Sequence, residues 1–327
     1  MATWYFDDDA DLSHLDGKTV GIFGYGNQGR SQALNMRDAG VNVIVGSRSD
    51  ASAQASKEDG FETLPLAEAA TKADVLFVLV PDEVMPAVYL EFLEPGLQDG
   101  NTLVFASGYN IYYKKITPPA GVNVVMIAPR MVGQGVRDTV LGGQGFPSLV
   151  AVHQDAAGAA HAIMLALSKA IGSTKMGVIM SSFEEETVVD LFHEQYGGLH
   201  AMRRAFEVLV EAGCSPEAAM LELWASGEMR EIGQYFVDHG LFAQLKLHSR
   251  TSQYGQLVYG RGKPEQEEAH KNHLRGIVEQ IKNGAFADEW TQEQANGLAT
   301  MKTAEEAMEN ELLTVEERKL YRRLGRI

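Results

Sequence analysis

Two acidic side chains stand four residues apart in the segment VVDLFHEQ, where Asp190 and Glu194 would project from the same face of a helix. Two carboxylates at that spacing repel each other unless a proton or a cation lies between them. Glu222 falls in a second helical segment, and carboxylate oxygens from two helices are suitable ligands for Mg²⁺. Spaced carboxylates on helices most often face solvent, so the spacing alone leaves both interpretations open.

The stretch KTVGIFGYGNQG at residues 18–29 could hold the phosphates of a dinucleotide. An apolar run precedes its three glycines and helix-compatible residues follow, which is typical of a strand, a tight turn and a helix. Gly24 would permit the turn, Gly26 would let a pyrophosphate approach the backbone, and Gly29 would let the helix pack on the strand. The phosphates would then contact free N–H groups at the positive end of the helix.

The next strand, at residues 41–46, ends without the acidic residue that commonly accepts the ribose hydroxyls of NAD. Arg48, Ser49 and Ser52 follow it instead. A guanidinium and hydroxyls suit a 2′-phosphate, so these residues predict NADPH. Asp50 is an argument against this assignment, and the less favoured alternative is that Arg48 is a loop arginine that faces water.

The pattern of apolar runs predicts the fold around these residues. Short β-branched or apolar runs lie at 19–23, 41–46, 75–80, 102–106, 123–127 and 148–152, with helical stretches between the early ones. This alternation is typical of a doubly wound parallel sheet. Strand signals almost vanish from Glu184 onward, and helical patterns replace them. We expect these helices to break at Gly213–Pro216, Gly240, Gly255, Gly260–Pro264 and Gly284. We therefore predict an α/β Rossmann domain over 1–182 and an all-helical domain over 183–327.

Charge and composition restrict the possible partners. The chain has 28 Lys and Arg against 44 Asp and Glu, a net charge of −16, which argues against binding nucleic acid or an anionic membrane surface. Its apolar runs are far shorter than the ~20 residues that span a bilayer. The single cysteine, Cys214, excludes an internal disulfide, and the opening MATWYFDDDADL does not resemble a signal peptide. These features predict a cytoplasmic protein without a membrane segment.

Several segments, taken in order, resemble class I ketol-acid reductoisomerases. They are YFDDDADLSHLDGKTVGIFGYGNQG, ALNMRDAGVNVIVGSR, PDEV, IAPR, AVHQDAAG, FEEETVVDLFHEQ, LVEAGCSPEAA and SRTSQYG, and they extend to about Gly260. The resemblance implies a Rossmann NADPH domain and a knotted helical domain that interlocks with a second subunit, hence at least a homodimer. Family enzymes bind two Mg²⁺ ions, migrate an alkyl group within an acetohydroxy acid and reduce the resulting 2-keto acid with NADPH.

The resemblance also implies the site residues. Asp190 and Glu194 would share one metal, Glu222 would serve the partner's site as a further metal ligand, Ser249 would contact substrate, and Arg130 would lie at the catalytic centre. The predicted cofactor-binding residues are Gly24, Tyr25, Gly26, Asn27, Gln28, Gly29, Arg48, Ser49, Ser52, Pro81, Asp82, Ser107 and Gly133.

The chain departs from the family pattern at the predicted chemistry. Ser107 stands where F-A-H-G-F has its histidine, and Arg130 and Gln134 stand where A-P-K-G-P-G-H has lysine and histidine. Ser226 stands at the position of the second partner-subunit glutamate, and Glu228, two residues on, would be rotated by about 200° around a helix.

These departures affect the two half-reactions differently. Alkyl migration requires both substrate oxygens to be polarised at once by two metals, so losing a ligand and a lysine should impair it. Hydride transfer needs only one electrophile and a proton source. We therefore expect an NADPH-dependent reductase of a small, carboxylate-bearing 2-keto or imine substrate, with Arg130 holding the substrate carboxylate. The alternatives are a genuine ketol-acid reductoisomerase and a non-catalytic NADPH-binding protein.

Overall fold

A computed structural model describes residues 2–156 and 158–327. The chain divides into two compact units, residues 1–190 and residues 191–327.

The described residues of the first unit form one nine-stranded sheet. The strands are β1 (Trp4–Tyr5), β2 (Thr19–Phe23), β3 (Asn42–Gly46), β4 (Glu62–Leu64), β5 (Val75–Val78), β6 (Thr102–Phe105), β7 (Asn123–Pro129), β8 (Ser148–Gln154) and β9 (Val178–Met180). Their spatial order is β1-β9-β8-β7-β6-β5-β2-β3-β4. Six consecutive strands in this order are parallel to one another: β7, β6, β5, β2, β3 and β4. Strand β8 is antiparallel to β7, and β1 is antiparallel to β9.

This sheet confirms the predicted doubly wound Rossmann fold and adds three strands that the sequence pattern did not indicate. These are β1, β4 and β9, which have only two or three residues each. Segments this short cannot show an alternation of apolar and polar residues. They become strands because they pair with strands that are distant in the sequence. The chain therefore extends the sheet at both edges beyond the predicted runs.

Helices cover both faces of the sheet. They are α1 (Asn27–Asp38), α2 (Ala51–Glu58), α3 (Leu66–Lys72), α4 (Met85–Val88), α5 (Tyr109–Tyr112), α6 (Gly133–Leu141), α7 (Ala160–Ala170) and α8 (Phe183–Gln195), the last of which continues into the second unit. Successive residues of β2 illustrate the two layers, because Ile22 joins the apolar cluster beneath α1 and α7 while Phe23 joins the one beneath α3.

Helices alone make up the regular structure described in the second unit, as predicted. They are α9 (Gly198–Glu211), α10 (Pro216–Met220), α11 (Glu228–His239), α12 (Arg250–Tyr254), α13 (Pro264–Lys282), α14 (Ala285–Ala295), α15 (Ala299–Glu309) and α16 (Leu312–Arg323). A small core forms around Phe206, Met220 and Leu320. Nowhere in the described chain is a helix long and apolar enough to cross a membrane.

Glycines end two of these helices as expected, but one predicted break is wrong. Gly240 and Gly284 adopt φ values of +91° and +85°, which favour glycine because it has no Cβ. Gly255 does not end α12, because the backbone continues through it in a π-helical turn to Tyr259.

The turn after β2 depends on two close backbone approaches. Gly24 has φ +107°, and a Cβ there would lie 2.5 Å from the carbonyl carbon of Leu79. A Cβ on Gly29 would lie 1.9 Å from the carbonyl oxygen of Gly24. Gly26 differs from both, because a Cβ on it would meet nothing within 4 Å. Two of the three glycines are therefore required by packing, and the third leaves open space above the start of α1.

We expect Gly29→Ala to destabilise the protein by about 2 kcal/mol or more, since overpacking against a backbone carbonyl cannot be relieved by a side-chain rotation. Gly26→Ala is the matched control and should cost less than about 1 kcal/mol, the effect of an altered N-cap. Urea unfolding of both variants without cofactor measures the difference. Equal midpoints would contradict the packing role of Gly29.

Candidate active site

The glycine turn forms one wall of a cleft of about 520 Å³, here called the cofactor cleft. The cleft lies at the carboxyl ends of the parallel strands, where β2 pairs with β3 on one side and β5 on the other. Such a switch point is where open α/β sheets bind ligands. The predicted residues that line it are Gly24, Tyr25, Gly26, Asn27, Gln28, Arg48, Ser52, Pro81, Asp82 and Ser107.

The start of α1 fits a pyrophosphate. Gly26 is its N-cap, and no side chain caps the helix there. The first N–H groups of α1 are therefore left without a side-chain acceptor, at the end of the helix where its dipole is positive. The open space that a Cβ on Gly26 would enter allows an anion to approach this backbone closely.

Two predicted cofactor residues also hold the glycine turn against the segment that follows β7. Gln28 Nε2 donates to the carbonyl oxygen of Met131 at 2.9 Å and so ties the glycine turn to the segment that follows β7. A Cβ on Gly133 would lie 2.4 Å from the carbonyl carbon of Asn27. Gly133 therefore lets α6 approach the backbone of the glycine turn.

A second depression of about 510 Å³, here called the outer cleft, adjoins the cofactor cleft at Ser47 and Arg48. Ser49 and Lys57 also line it. The outer cleft thus brings two cations and two hydroxyls together, which suits a phosphate. Sequence reasoning missed Lys57, which stands five residues after Ser52 on α2 and has no motif of its own.

The carboxylate of Asp50 is engaged elsewhere. Asp50 is the N-cap of α2, and its Oδ1 accepts from the backbone N–H groups of Ser52 at 3.0 Å and Ala53 at 3.3 Å. Arg48 Nε lies 3.7 Å from the other oxygen, and the Arg48 side chain is 81% exposed. Asp50 is therefore a weaker argument against a 2′-phosphate, because its carboxylate has a separate role in capping α2.

Side-chain contacts hold the turns after β5 and β6. Asn110 Nδ2 donates to Asp82 at its carbonyl oxygen (3.2 Å) and at Oδ1 (2.9 Å). The hydroxyl of Ser107 accepts from the backbone N–H of Tyr109 at 3.2 Å. These bonds fix the turns after two neighbouring strands, and both turns line the cofactor cleft.

Arg130, directly after β7, bridges two carboxylates of α8. Its Nη2 lies 2.8 Å from Glu186 Oε1, and its Nη1 lies 2.9 Å from Asp190 Oδ1. The sequence led us to expect this guanidinium on a substrate carboxylate. In the structure it bonds instead to two carboxylates of the protein, which leaves less of its donor capacity for a substrate.

Glu186 is the most buried member of this group, with 1% of its side chain exposed. Its Oε2 accepts from the backbone N–H of Gly108 at 2.6 Å. Burial raises the pKa of Glu186 to about 7, although the Gly108 N–H and the Arg130 charge oppose that shift. The feature of the sequence that could have indicated Glu186 as a site residue is its position four residues before Asp190, on the same helix face.

The remaining predicted site residues belong to the second unit or to the end of α8. Glu194 and Glu222 are exposed. Ser249 is the N-cap of α12 and accepts from the N–H of Ser252 at 3.2 Å. Among residues 2–156 and 158–327, no three acidic, histidine or cysteine side chains of one chain are close enough to hold a metal ion. The magnesium site, which would combine two subunits, stays a prediction.

Comparison with known proteins identifies the family. Residues 14–177 match the family model described as acetohydroxy acid isomeroreductase, NADPH-binding domain. Residues 183–324 match the model described as ketol-acid reductoisomerase, C-terminal domain.

Individual relatives agree over nearly the whole chain. The ketol-acid reductoisomerase (NADP(+)) of Methanopyrus kandleri is 44% identical over 95% of this chain and 94% of its own length. That of Pyrobaculum calidifontis is 42% identical over 98% and 99%. The structure of an NADH-preferring ketol-acid reductoisomerase from an uncultured archaeon has a TM-score of 0.89 and 39% identity over 97% of this chain and 99% of its own. Fold, sequence and the NADPH-binding domain thus agree, and the chain belongs to the ketol-acid reductoisomerase family of NADP-dependent oxidoreductases.

Proposed function

We propose that the chain catalyses the ketol-acid reductoisomerase reaction, the conversion of an acetohydroxy acid into a 2,3-dihydroxy acid with NADPH. The observation that carries this proposal is the similarity to reductoisomerases over nearly their full length, at 42–44% identity. This similarity favours a genuine reductoisomerase, given above as an alternative, over the reductase without efficient isomerisation that we expected from the sequence. The third possibility, a non-catalytic NADPH-binding protein, has no observation in its favour.

The first unit supplies the cofactor site of this reaction. The N–H groups at the start of α1 bind the pyrophosphate, and Arg48, Ser49 and Lys57 bind the 2′-phosphate. The bound NADPH supplies the hydride. Ser107 and Asp82, held by their hydrogen bonds, shape the cleft between the strand tips and help to exclude water.

The acidic face of α8 supplies the other half of the site. Asp190 and Glu194, with Glu222 from a second copy of the chain, are oxygen ligands of the kind Mg²⁺ prefers. Bound Mg²⁺ would polarise the substrate oxygens. Arg130 keeps Asp190 in place through its Nη1 contact, and Glu186 keeps Arg130 in place in turn.

Two observations favour a second function, an NADPH-dependent reductase that isomerises poorly. Arg130 binds Asp190 Oδ1 at 2.9 Å, so a guanidinium already neutralises the carboxylate that a metal would need. Ser226 also replaces a carboxylate with a hydroxyl, which accepts from the backbone N–H of Glu228 at 3.4 Å. Both features lower the negative charge that the residues could offer to two cations.

Steady-state assays with NADPH and Mg²⁺ separate these two functions. If the chain is a reductoisomerase, it should turn over acetolactate at ~1 s⁻¹ or faster, a common enzyme rate. If it is the reductase, it should reduce the 2-keto acid that alkyl migration would produce but leave acetolactate unchanged, and Arg130→Lys should restore some acetolactate turnover. Failure with both substrates would contradict both functions.

We also infer that the helical unit forms a dimer with a second copy. Large apolar side chains of this unit are solvent-exposed in the single chain: Leu199 by 84%, Val237 by 74%, Phe242 by 71% and Tyr259 by 77%. Apolar surface on this scale is typical of protein interfaces. Light scattering should therefore give at least twice the monomer mass of 35.7 kDa. Phe242→Asp should shift the equilibrium toward monomer, and a stable wild-type monomer would contradict the shared site.

Removal of the Arg48 guanidinium should change cofactor preference. We expect Arg48→Ala to weaken NADPH binding by about tenfold or more, the effect of losing charged hydrogen bonds, with NADH affinity nearly unchanged. Lys57→Gln should act in the same direction. Lys72→Gln is the control, because Lys72 lies on α3 and pairs with Glu62 at 2.7 Å. Fluorescence titration measures both cofactors. Equal losses for NADPH and NADH would contradict the 2′-phosphate role, and unchanged affinity for both would show that Arg48 faces water.

A further inference from the structure

A hydrogen-bond network around Asp59 lies beside the glycine turn. Tyr25, between Gly24 and Gly26, is 4% exposed, and its ring packs edge-on against Phe61 with centroids 5.8 Å apart. Its hydroxyl donates to Asp59 Oδ2 at 2.8 Å. The Tyr25 side chain is therefore held inside the protein, although its backbone belongs to the turn that lines the cofactor cleft.

Asp59 is the centre of this network. Arg30 on α1 makes a two-point contact with its carboxylate, with Nε 2.7 Å from Oδ2 and Nη2 2.9 Å from Oδ1. Arg37, two turns further on α1, donates from Nη1 to the Asp59 carbonyl oxygen at 2.6 Å. The Arg30 hydrogen bond lowers the pKa of Asp59, so the carboxylate stays ionised at neutral pH. One residue thus accepts from the glycine turn and from two positions on α1.

Asp59 also connects this network to α2. Asp59 is the C-cap of α2, the helix whose N-terminal end carries Ser52 and adjoins Arg48 and Ser49. The opposite end of this eight-residue helix is therefore bound to the turn that faces the pyrophosphate. Any tilt of α2 would move the residues that face the 2′-phosphate relative to the start of α1.

We propose that Asp59 is a positioning residue for the dinucleotide, which aligns the 2′-phosphate side of the site with the pyrophosphate side. The proposal rests on NADPH binding in the cofactor cleft. Asp59 does not touch the cofactor; it acts through Tyr25 and Arg30. A dinucleotide that bridges both sides depends on their alignment, whereas a ligand confined to the adenosine side does not.

Calorimetric titration of Asp59→Asn with NADPH and with adenosine 2′-monophosphate, which has no 5′-phosphate, tests this. We expect NADPH to bind about tenfold more weakly, because the amide cannot accept from both Arg30 nitrogens, while adenosine 2′-monophosphate keeps its wild-type affinity within about twofold. Asp59→Glu, which restores the charge, should recover part of the NADPH affinity. Glu207→Gln is the control, since Glu207 also lies against an arginine, 3.0 Å from Arg203 Nε, but in the second unit and outside the network.

Three outcomes would overturn the positioning role. They are unchanged NADPH affinity in Asp59→Asn, equal weakening of NADPH and adenosine 2′-monophosphate together with a lower melting temperature, and a wild-type protein that binds NADPH but not adenosine 2′-monophosphate. The second would show that Asp59 acts on stability alone, and the third that the adenosine side is not a separate site. Failure of wild-type protein to bind NADPH would instead contradict the proposed function.

Discussion

The candidate active site depends on one buried ion pair, between Glu186 and Arg130. A carboxylate that is 1% exposed is costly to ionise unless charged and polar donors surround it. Arg130 and the Gly108 N–H supply such donors at 2.8 Å and 2.6 Å and offset part of this cost, although burial still raises the pKa of Glu186 to about 7. Because Gly108 follows β6, Arg130 follows β7 and Glu186 lies on α8, the same contacts join three elements. The start of α8 is thereby oriented on the strand tips, and with it the acidic face that carries Asp190.

The identity of residue 130 explains why this ion pair can extend to a second carboxylate. A lysine carries one compact charge, whereas the planar guanidinium of Arg130 directs separate N–H groups to Glu186 and Asp190. The family shows the fold, but chemistry depends on the groups at the site. Relatives named as reductoisomerases support the full reaction, and the Arg130 bridge is the physical reason to examine its isomerisation step separately.

The cofactor site illustrates how a strongly acidic protein can accommodate an anionic ligand. The net charge of −16 would repel a dinucleotide phosphate over most of the surface. Arg48 and Lys57 create a local cationic region at the outer cleft, and Asp50, two residues after Arg48, is engaged as a helix cap. The start of α1 adds uncharged N–H donors. Local geometry, not total charge, therefore governs which ligand the cleft accepts.

The sequence by itself determined the parallel sheet, the helical second unit, the glycine turn and the absence of an acid at the tip of β3. These features depend on residues within one turn or strand of each other, where periodicity and backbone preference act. Their local character also explains which predictions were incomplete or wrong. Strands β4 and β9 are too short to show a period, and the helix continues through Gly255 although glycine there predicts a break. Glycine types alone did not distinguish Gly29, which packs on a carbonyl, from Gly26, which leaves space.

Only the tertiary structure decided which side chains meet. Glu186 is separated by 56 residues from Arg130 and by 78 from Gly108, and Tyr25 by 34 from Asp59. No local pattern encodes such pairs, because they form when separate strands and helices come together around one sheet. The site's residue types could therefore be predicted from the sequence, whereas the partners of Arg130 and Tyr25 could not, since a buried charge or hydroxyl bonds to whatever donor or acceptor the fold places beside it.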